Sequence, residues 1–287
     1  MELPMSDFNA LWDYDQPAET ERRFRELLPS AQQSGDTSYY LQLLTQIARA
    51  QGLQRHFDDA HQTLNQVEVQ LSNEPVVKIR YLLERGRVFN SSGSREKSRP
   101  LFADAYETAL QAGEDFYAVD AAHMLGIVEA KPEDQLAWNE KAVALAEKSE
   151  NPRARQWLGS LYNNIGWTYH DQGDYDKALE LFQKALTFRE SQNAARPIHI
   201  ARWCIARTLR SMNRLQEALA IQRDLEKNPE DGYVSEEIAE CLLAMGDETA
   251  ALPYFKQAYE KLSQDEWLAE NQADRLARIK LYADKSA

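Results

Sequence analysis

Several things that common chemistries require are scarce in this sequence. Its 287 residues include two cysteines, Cys204 and Cys241, set apart without the paired spacing of a metal site, and they read as reduced, packed thiols. Basic residues are outnumbered, 33 against 46 acidic, for a net charge of −13. That balance argues against a nucleic-acid or membrane-surface partner, both of which favour a basic face. No run of eighteen apolar residues occurs, and the opening MELPMSDF has neither a basic start nor an apolar stretch. The expectation is therefore neither membrane spanning nor secretion, but a cytoplasmic protein.

Chemical motifs are missing as well. There is no Walker A, GxGxxG, HExxH, GxSxG or CxxC pattern. The histidines His56, His61, His123, His170 and His199 are scattered. His170-Asp171, with Asp174 and Asp176, sits where a helix end and the next N-cap call for acidic residues, and reads as a turn rather than a metal site. The sequence gives no support for an enzyme, a cofactor or a metal. No stretch alternates as a strand would, and none is long enough or simple enough to be a linker.

What is present is helical and periodic. Leu161–Glu190 reads as two amphipathic helices: Tyr162, Ile165 and Tyr169 recur at helical spacing, as do Leu179, Phe182, Ala185 and Leu186. Gln172-Gly173-Asp174 supplies a turn glycine and an N-cap. Gly166 and Ala178 are small where the helices must approach. Small residues recur as anchors of further first helices at Ala48, Gly86, Gly126, Gly166, Ala206 and Ala239, spaced by 38, 40, 40, 40 and 33 residues.

With Gly166, Tyr169, Gly173, Tyr175, Ala178, Phe182 and Ala185 in place, this pattern resembles the tetratricopeptide repeat. The units near forty residues are similar to the longer variety of kinesin light chains and Rap-type regulators. The resemblance implies an all-α, right-handed superhelix of about seven helix pairs with a C-terminal capping helix. The expected units are 1–35, 36–74, 75–113, 114–151, 152–194, 195–230 and 231–264, with a cap over 265–285. The first is a degenerate opening unit with Pro17 at the first turn of its helix. Ser72-Asn73 and Asn228-Pro229 read as stops. Ser94 is the expected N-cap of the second helix after Gly86. Pro100 and Pro253 fall at the same place in two second helices, suggesting packing that accommodates them. The unit of Gly126 lacks about one turn, joined at Lys131-Pro132-Glu133. The unit of Ala206 carries Gln222 where its neighbour has Phe182. Trp267–Tyr282 is expected as one charged helix.

In such arrays the first helices line the concave surface, and the residues six, three and two before the anchor and one and four after it share a face. That stripe gives Thr45, Gln46 and Arg49; Arg80, Glu84, Arg87 and Asn90; Asp120, His123, Met124 and Ile127; Asn163, Asn164, Trp167 and His170; Trp203, Arg207 and Arg210; then Tyr233, Glu236, Glu237 and Glu240. The candidate ligand-binding residues are Arg49, Arg80, Arg87, Asn90, His123, Asn163, Asn164, Trp167, His170, Trp203, Arg207 and Arg210. Five arginines against Glu84 and Asp120 oppose the charge of the whole chain and suit an anionic segment. In kinesin light chains the asparagine two before the anchor binds the ligand backbone, and the resemblance gives that role to Asn164, although Gln46, Glu84, Met124, Cys204 and Glu237 hold that place elsewhere. Trp167 and Trp203 can floor an apolar side chain.

The expected function is a protein–protein adaptor holding an extended, acidic peptide or tail. One rival is a peptide-responsive sensor of the Rap type, whose N-terminal effector bundle residues 1–35 are too short to supply. Another is self-assembly into a homo-oligomer.

Overall fold

The computed structural model describes residues 7–71, 74–227 and 231–286, and within them the regular structure is helical. It forms two compact units, Met1–Leu161 and Tyr162–Ala287. After a short 3-10 turn at Phe8–Leu11, the first unit contains α1 (Pro17–Gln33), α2 (Thr37–Leu53), α3 (Phe57–Glu68), α4 (Pro75–Ser91), α5 (Arg95–Ala112), α6 (Asp115–Val128), α7 (Pro132–Lys148) and α8 (Pro152–Arg155). The division falls within α9 (Leu158–Asp171). The second unit continues with α10 (Tyr175–Ser191), α11 (Ala195–Ser211), α12 (Leu215–Leu225), α13 (Gly232–Ala244), α14 (Glu248–Leu262), α15 (Glu266–Asn271) and α16 (Ala273–Ala283). The expected stops at Ser72-Asn73 and Asn228-Pro229 lie outside the described residues.

Each helix packs on its sequence neighbour, and the first helices also touch one another: α2 with α4 and α4 with α6 in the first unit, α11 with α13 in the second. The reason lies in the anchors. Gly86 faces the ring of Phe102, sixteen residues on, so closely that a Cβ there would lie 2.5 Å from it. Gly166 stands to Phe182 in the same relation, at 2.7 Å. Phe102, Phe182 and Phe255 are fully buried, the last sixteen residues after Ala239. A large ring on the second helix thus fills the space left by a missing side chain on the first.

The hairpin turns share one device, a left-handed residue seven after the anchor. Gly93 and Gly173 adopt φ of 86° and 80°. Asn213 and Arg55 take the same conformation at 60° and 64° without being glycine, a strain asparagine tolerates better than arginine. Asp174 caps α10 by accepting from the Lys177 N–H. Ser94 occupies the cap position of α5 without a side-chain bond. Pro100 and Pro253 each sit sixth in their helices and are exposed, so the carbonyls they leave unpaired face solvent.

Three departures have local causes. The first helix after Glu114 ends at Val128, and Lys131 caps a second helix that starts on Pro132. Asn139, rather than an aromatic ring, stands against Gly126, where a Cβ would lie 2.8 Å from its Nδ2. The stretch from Trp267 to Tyr282, expected as one helix, is two, broken at Gln272, whose φ of −137° is not helical. The expected unit 152–194 opens with a short helix, α8, that is separated from α9 at Gln156-Trp157.

Gln222 takes the place of the buried ring in α12, sixteen residues after Ala206. It is fully buried, and neither its Nε2 nor its Oε1 has a partner among the described residues. Burying an unmet amide costs about 1–3 kcal/mol. Gln222→Leu should therefore raise unfolding stability by about that amount in urea titration; an unchanged or lower midpoint would contradict this account.

Candidate functional site

The candidate residues of the first unit, Arg49 on α2, Arg80, Arg87 and Asn90 on α4 and His123 on α6, fall on adjoining helices. They join a charged chain rather than standing free. Arg87 donates to Glu84 at 2.8 Å and to both oxygens of Asp120 at 2.5 and 2.6 Å. Arg49 reaches the same Glu84 at 3.3 Å while its guanidinium lies over Trp12 and Tyr14. Burial works against the Arg87 charge, but Asp120 and Glu84 more than offset it, so its pKa is raised. Arg80 is different: it donates to Asn9 and lies over Phe8 and Tyr117, and among the described residues no carboxylate pairs with it. His123 packs its ring on Trp157 at 5.1 Å, and burial, followed by the Arg87 charge, holds its pKa below the usual histidine value against the pull of Asp120.

In the second unit the stripe builds an aromatic cluster. The rings of Trp167 and Trp203 lie 6.0 Å apart with the Arg207 guanidinium over both. Trp167 also packs edge-on against Phe182. Both tryptophans are half-buried, so each is partly structural: Trp203 donates its Nε1–H to the Tyr233 carbonyl. His170 pairs its Nε2 with the Ser211 hydroxyl at 3.0 Å, and burial and then Arg207 lower its pKa. Arg207 and Arg210 both reach Glu237, which is 1% exposed, at 3.3 and 2.7 Å. Asn163 accepts from the Cys204 thiol at 3.6 Å. The Asn164 carboxamide is half-exposed and has no partner among the described residues. Burial pushes both thiols up to about 12, which keeps Cys204 and Cys241 protonated and inert.

The anchor offsets do not show how the arginines are used. Except for Arg80, each stripe arginine meets a carboxylate of its own or the next hairpin, which no single unit's sequence displays. The offsets also miss the residues around Arg80 and Arg49. Trp12 and Tyr14 precede the first helix, Phe116 and Tyr117 lie outside the stripe, and Arg153 and Trp157 flank the break between α8 and α9. Together with Glu84 and Asp120 they line a cavity of about 490 Å3. Asn90 lines a smaller one of about 160 Å3 beside Arg87.

Two predictions follow from these contacts. Arg87→Met strands the buried Asp120 and takes the shorter of two partners from Glu84, and should cost about 3–5 kcal/mol in urea unfolding, whereas Arg49→Met, which loses one longer contact, should cost about 1 kcal/mol or less; equal losses would contradict the ranking. The depressed values of His61, His123 and His170 mean that the unfolded chain binds protons first as pH falls through about 6.5. Stability is then full above that value and lost below it. The melting temperature should fall between about pH 7.5 and pH 5.5, and His123→Gln should flatten the slope.

Comparisons with known proteins agree with this architecture. Residues 132–191 and 205–266 each match a family profile described as a tetratricopeptide repeat. No curated protein matches the sequence. Among solved structures, the fold is similar to the apo form of RapI, at 12% identity and a TM-score of 0.70 over 90% of this chain and 74% of that one. It is also similar to BtubC (BKLC) from P. vanneervenii, at 13% identity and 0.58 over 77% and 91% of the two chains. A third likeness is to the nearly identical TPR-like repeats of a kinesin light chain from Podosopora anserina, at 15% identity and 0.54 over 68% and 99%. Among the described residues no helix is long and apolar enough to cross a membrane. On its repeats in sequence and its paired helices in structure, the chain is a tetratricopeptide-repeat protein.

Proposed function

We infer that this chain serves, as tetratricopeptide folds do in general, as a protein–protein interaction scaffold. We propose that it is an adaptor that holds an extended, acidic polypeptide segment along the stripe of its first helices. One observation carries the reading. Eight described residues have buried side-chain nitrogens or oxygens without a hydrogen-bond partner, and six of them, Arg49, Arg80, Asn90, His123, His170 and Arg207, are stripe residues. Native interiors satisfy nearly all such atoms, so their recurrence at stripe positions within each unit supports a partner that supplies polar groups there.

The chemistry suits a peptide backbone with carboxylate side chains. Three of the unmet atoms are arginine Nε–H donors, on guanidiniums already held in place by ion pairs or aromatic faces. The Asn164 carboxamide offers a donor and an acceptor to a main chain running past it. Trp167 and Trp203 offer an aromatic surface for an apolar side chain beside it. Because the side chains are pre-set, the peptide bears most of the ordering entropy.

Selection from a displayed library of random short peptides tests the proposal. Recovered sequences should be rich in Asp and Glu, and Asn164→Ala and Arg207→Met should each weaken a recovered peptide by about tenfold with the melting temperature unchanged for Asn164→Ala. Peptides without acidic bias, or binding indifferent to both changes, would sink it.

A further inference from the structure

The cavity of the first unit asks for a ligand of its own. Arg80 lines it at 5% exposure. Its Nη2 donates to Asn9 Oδ1 at 3.1 Å, and its guanidinium lies 5.2 Å from the centre of the Phe8 ring and 5.4 Å from that of Tyr117. Its Nε–H has no partner, and no carboxylate among the described residues lies within ion-pair distance. A guanidinium taken out of water against Asn9, Tyr117 and the Phe8 ring, with the exposed Asp7 carboxylate acting on it from beyond ion-pair distance, is incompletely compensated, since burial of a charge demands a close counter-charge or a full set of hydrogen bonds. The two carboxylates that share the cavity do not supply it. Glu84 is engaged by Arg49 and Arg87, and Asp120 is held at both oxygens by Arg87. Arg153 adds a further positive charge, its guanidinium 4.1 Å from the centre of the Phe116 ring.

Five aromatic residues, Trp12, Tyr14, Phe116, Tyr117 and Trp157, make up much of the remaining wall, with Gln46, Leu83, Gln156 and Ser160 between them. Trp12 and Tyr14 stack face to face, 4.7 Å apart and 7° from parallel, and Phe116 and Trp157 contribute two more rings. At about 490 Å3 the space lies in the lower part of the range for small-molecule sites, about 300–1,000 Å3. An unmet buried cation, an excess of arginine over free carboxylate and flat apolar walls define one kind of guest.

We propose that this cavity binds a small aromatic carboxylate. Its ring lies against the aromatic walls, and its carboxylate meets the edge of Arg80 that Asn9 leaves open, with the Arg153 charge nearby. The same chemistry is offered by a free aromatic acid and by the C-terminal aromatic residue of a polypeptide. The cavity takes in Arg49 and Arg80 from the first-helix stripe, but its guest is argued from the surroundings of Arg80 and the aromatic rings, and it does not depend on the extended-peptide reading.

Calorimetric titration of the full chain with N-acetylphenylalanine and with N-acetylphenylalaninamide tests the proposal, since the two probes differ only in the carboxylate. The acid should bind, and the amide should bind at least about tenfold more weakly. Arg80→Met should abolish that preference. Ser160→Trp, which fills the cavity from an exposed position on its wall and leaves Arg80 intact, should abolish binding of the acid whether or not the Arg80 variant folds. Asn164→Ala should leave binding unchanged, so the two ligand readings fail separately. A short peptide ending in phenylalanine that binds at least about tenfold tighter than N-acetylphenylalanine identifies a polypeptide terminus as the source, and equal or weaker binding identifies a free acid. Equal binding of acid and amide, no binding of the acid at about millimolar concentration, or a carboxylate preference that survives in a folded Arg80→Met variant would overturn the proposal.

Discussion

The contact on which these hairpins depend is a ring set against a backbone. Gly86 with Phe102 and Gly166 with Phe182 bring a second helix so close to the first that no Cβ fits between them. Everything downstream inherits that spacing: the sixteen-residue interval fixes the phase of the two helices, and the left-handed turn seven residues after the anchor brings the chain back at the required angle. Where the ring is replaced, by Asn139 against Gly126 or by Gln222 in α12, a buried polar atom is left unmet. These defects fall in hairpins on either side of one that obeys the rule, Gly166 with Phe182, so local imperfection is tolerated beside a neighbour that holds register.

Much of this architecture was legible in the sequence because it rests on short-range constraints. Period, small anchors, turn glycines and caps are all written within forty residues of one another, and the helices form where those signals place them. Turns at Arg55 and Asn213 were harder to read, because the position matters more than the residue that fills it. The interruptions at Gln156-Trp157 and Gln272 have no proline or glycine to announce them.

The site was legible in outline only. Anchor offsets pick out a face, and that face holds most of the unmet polar atoms. They do not reveal that Glu84, Asp120 and Glu237 consume most of the arginine charge, since, Arg87 with Glu84 aside, each pair joins different helices about thirty residues apart. Nor do they reach Trp12 and Tyr14, which belong to no repeat and become functional candidates only when the chain folds back over α2 and α4.

The chain of Arg49, Glu84, Arg87 and Asp120 has a further consequence. A stack held by nearest-neighbour apolar faces alone can fray one hairpin at a time, like a column losing its end discs. Here Arg87 and Glu84 pair within α4, and each is bound a second time from a flank, Glu84 by Arg49 on α2 and Arg87 by Asp120 on α6. Peeling off α6 leaves Asp120 without its partner and peeling off α2 takes Arg49 from Glu84, so the ion pairs add a cost to opening either flank that apolar contact alone would not.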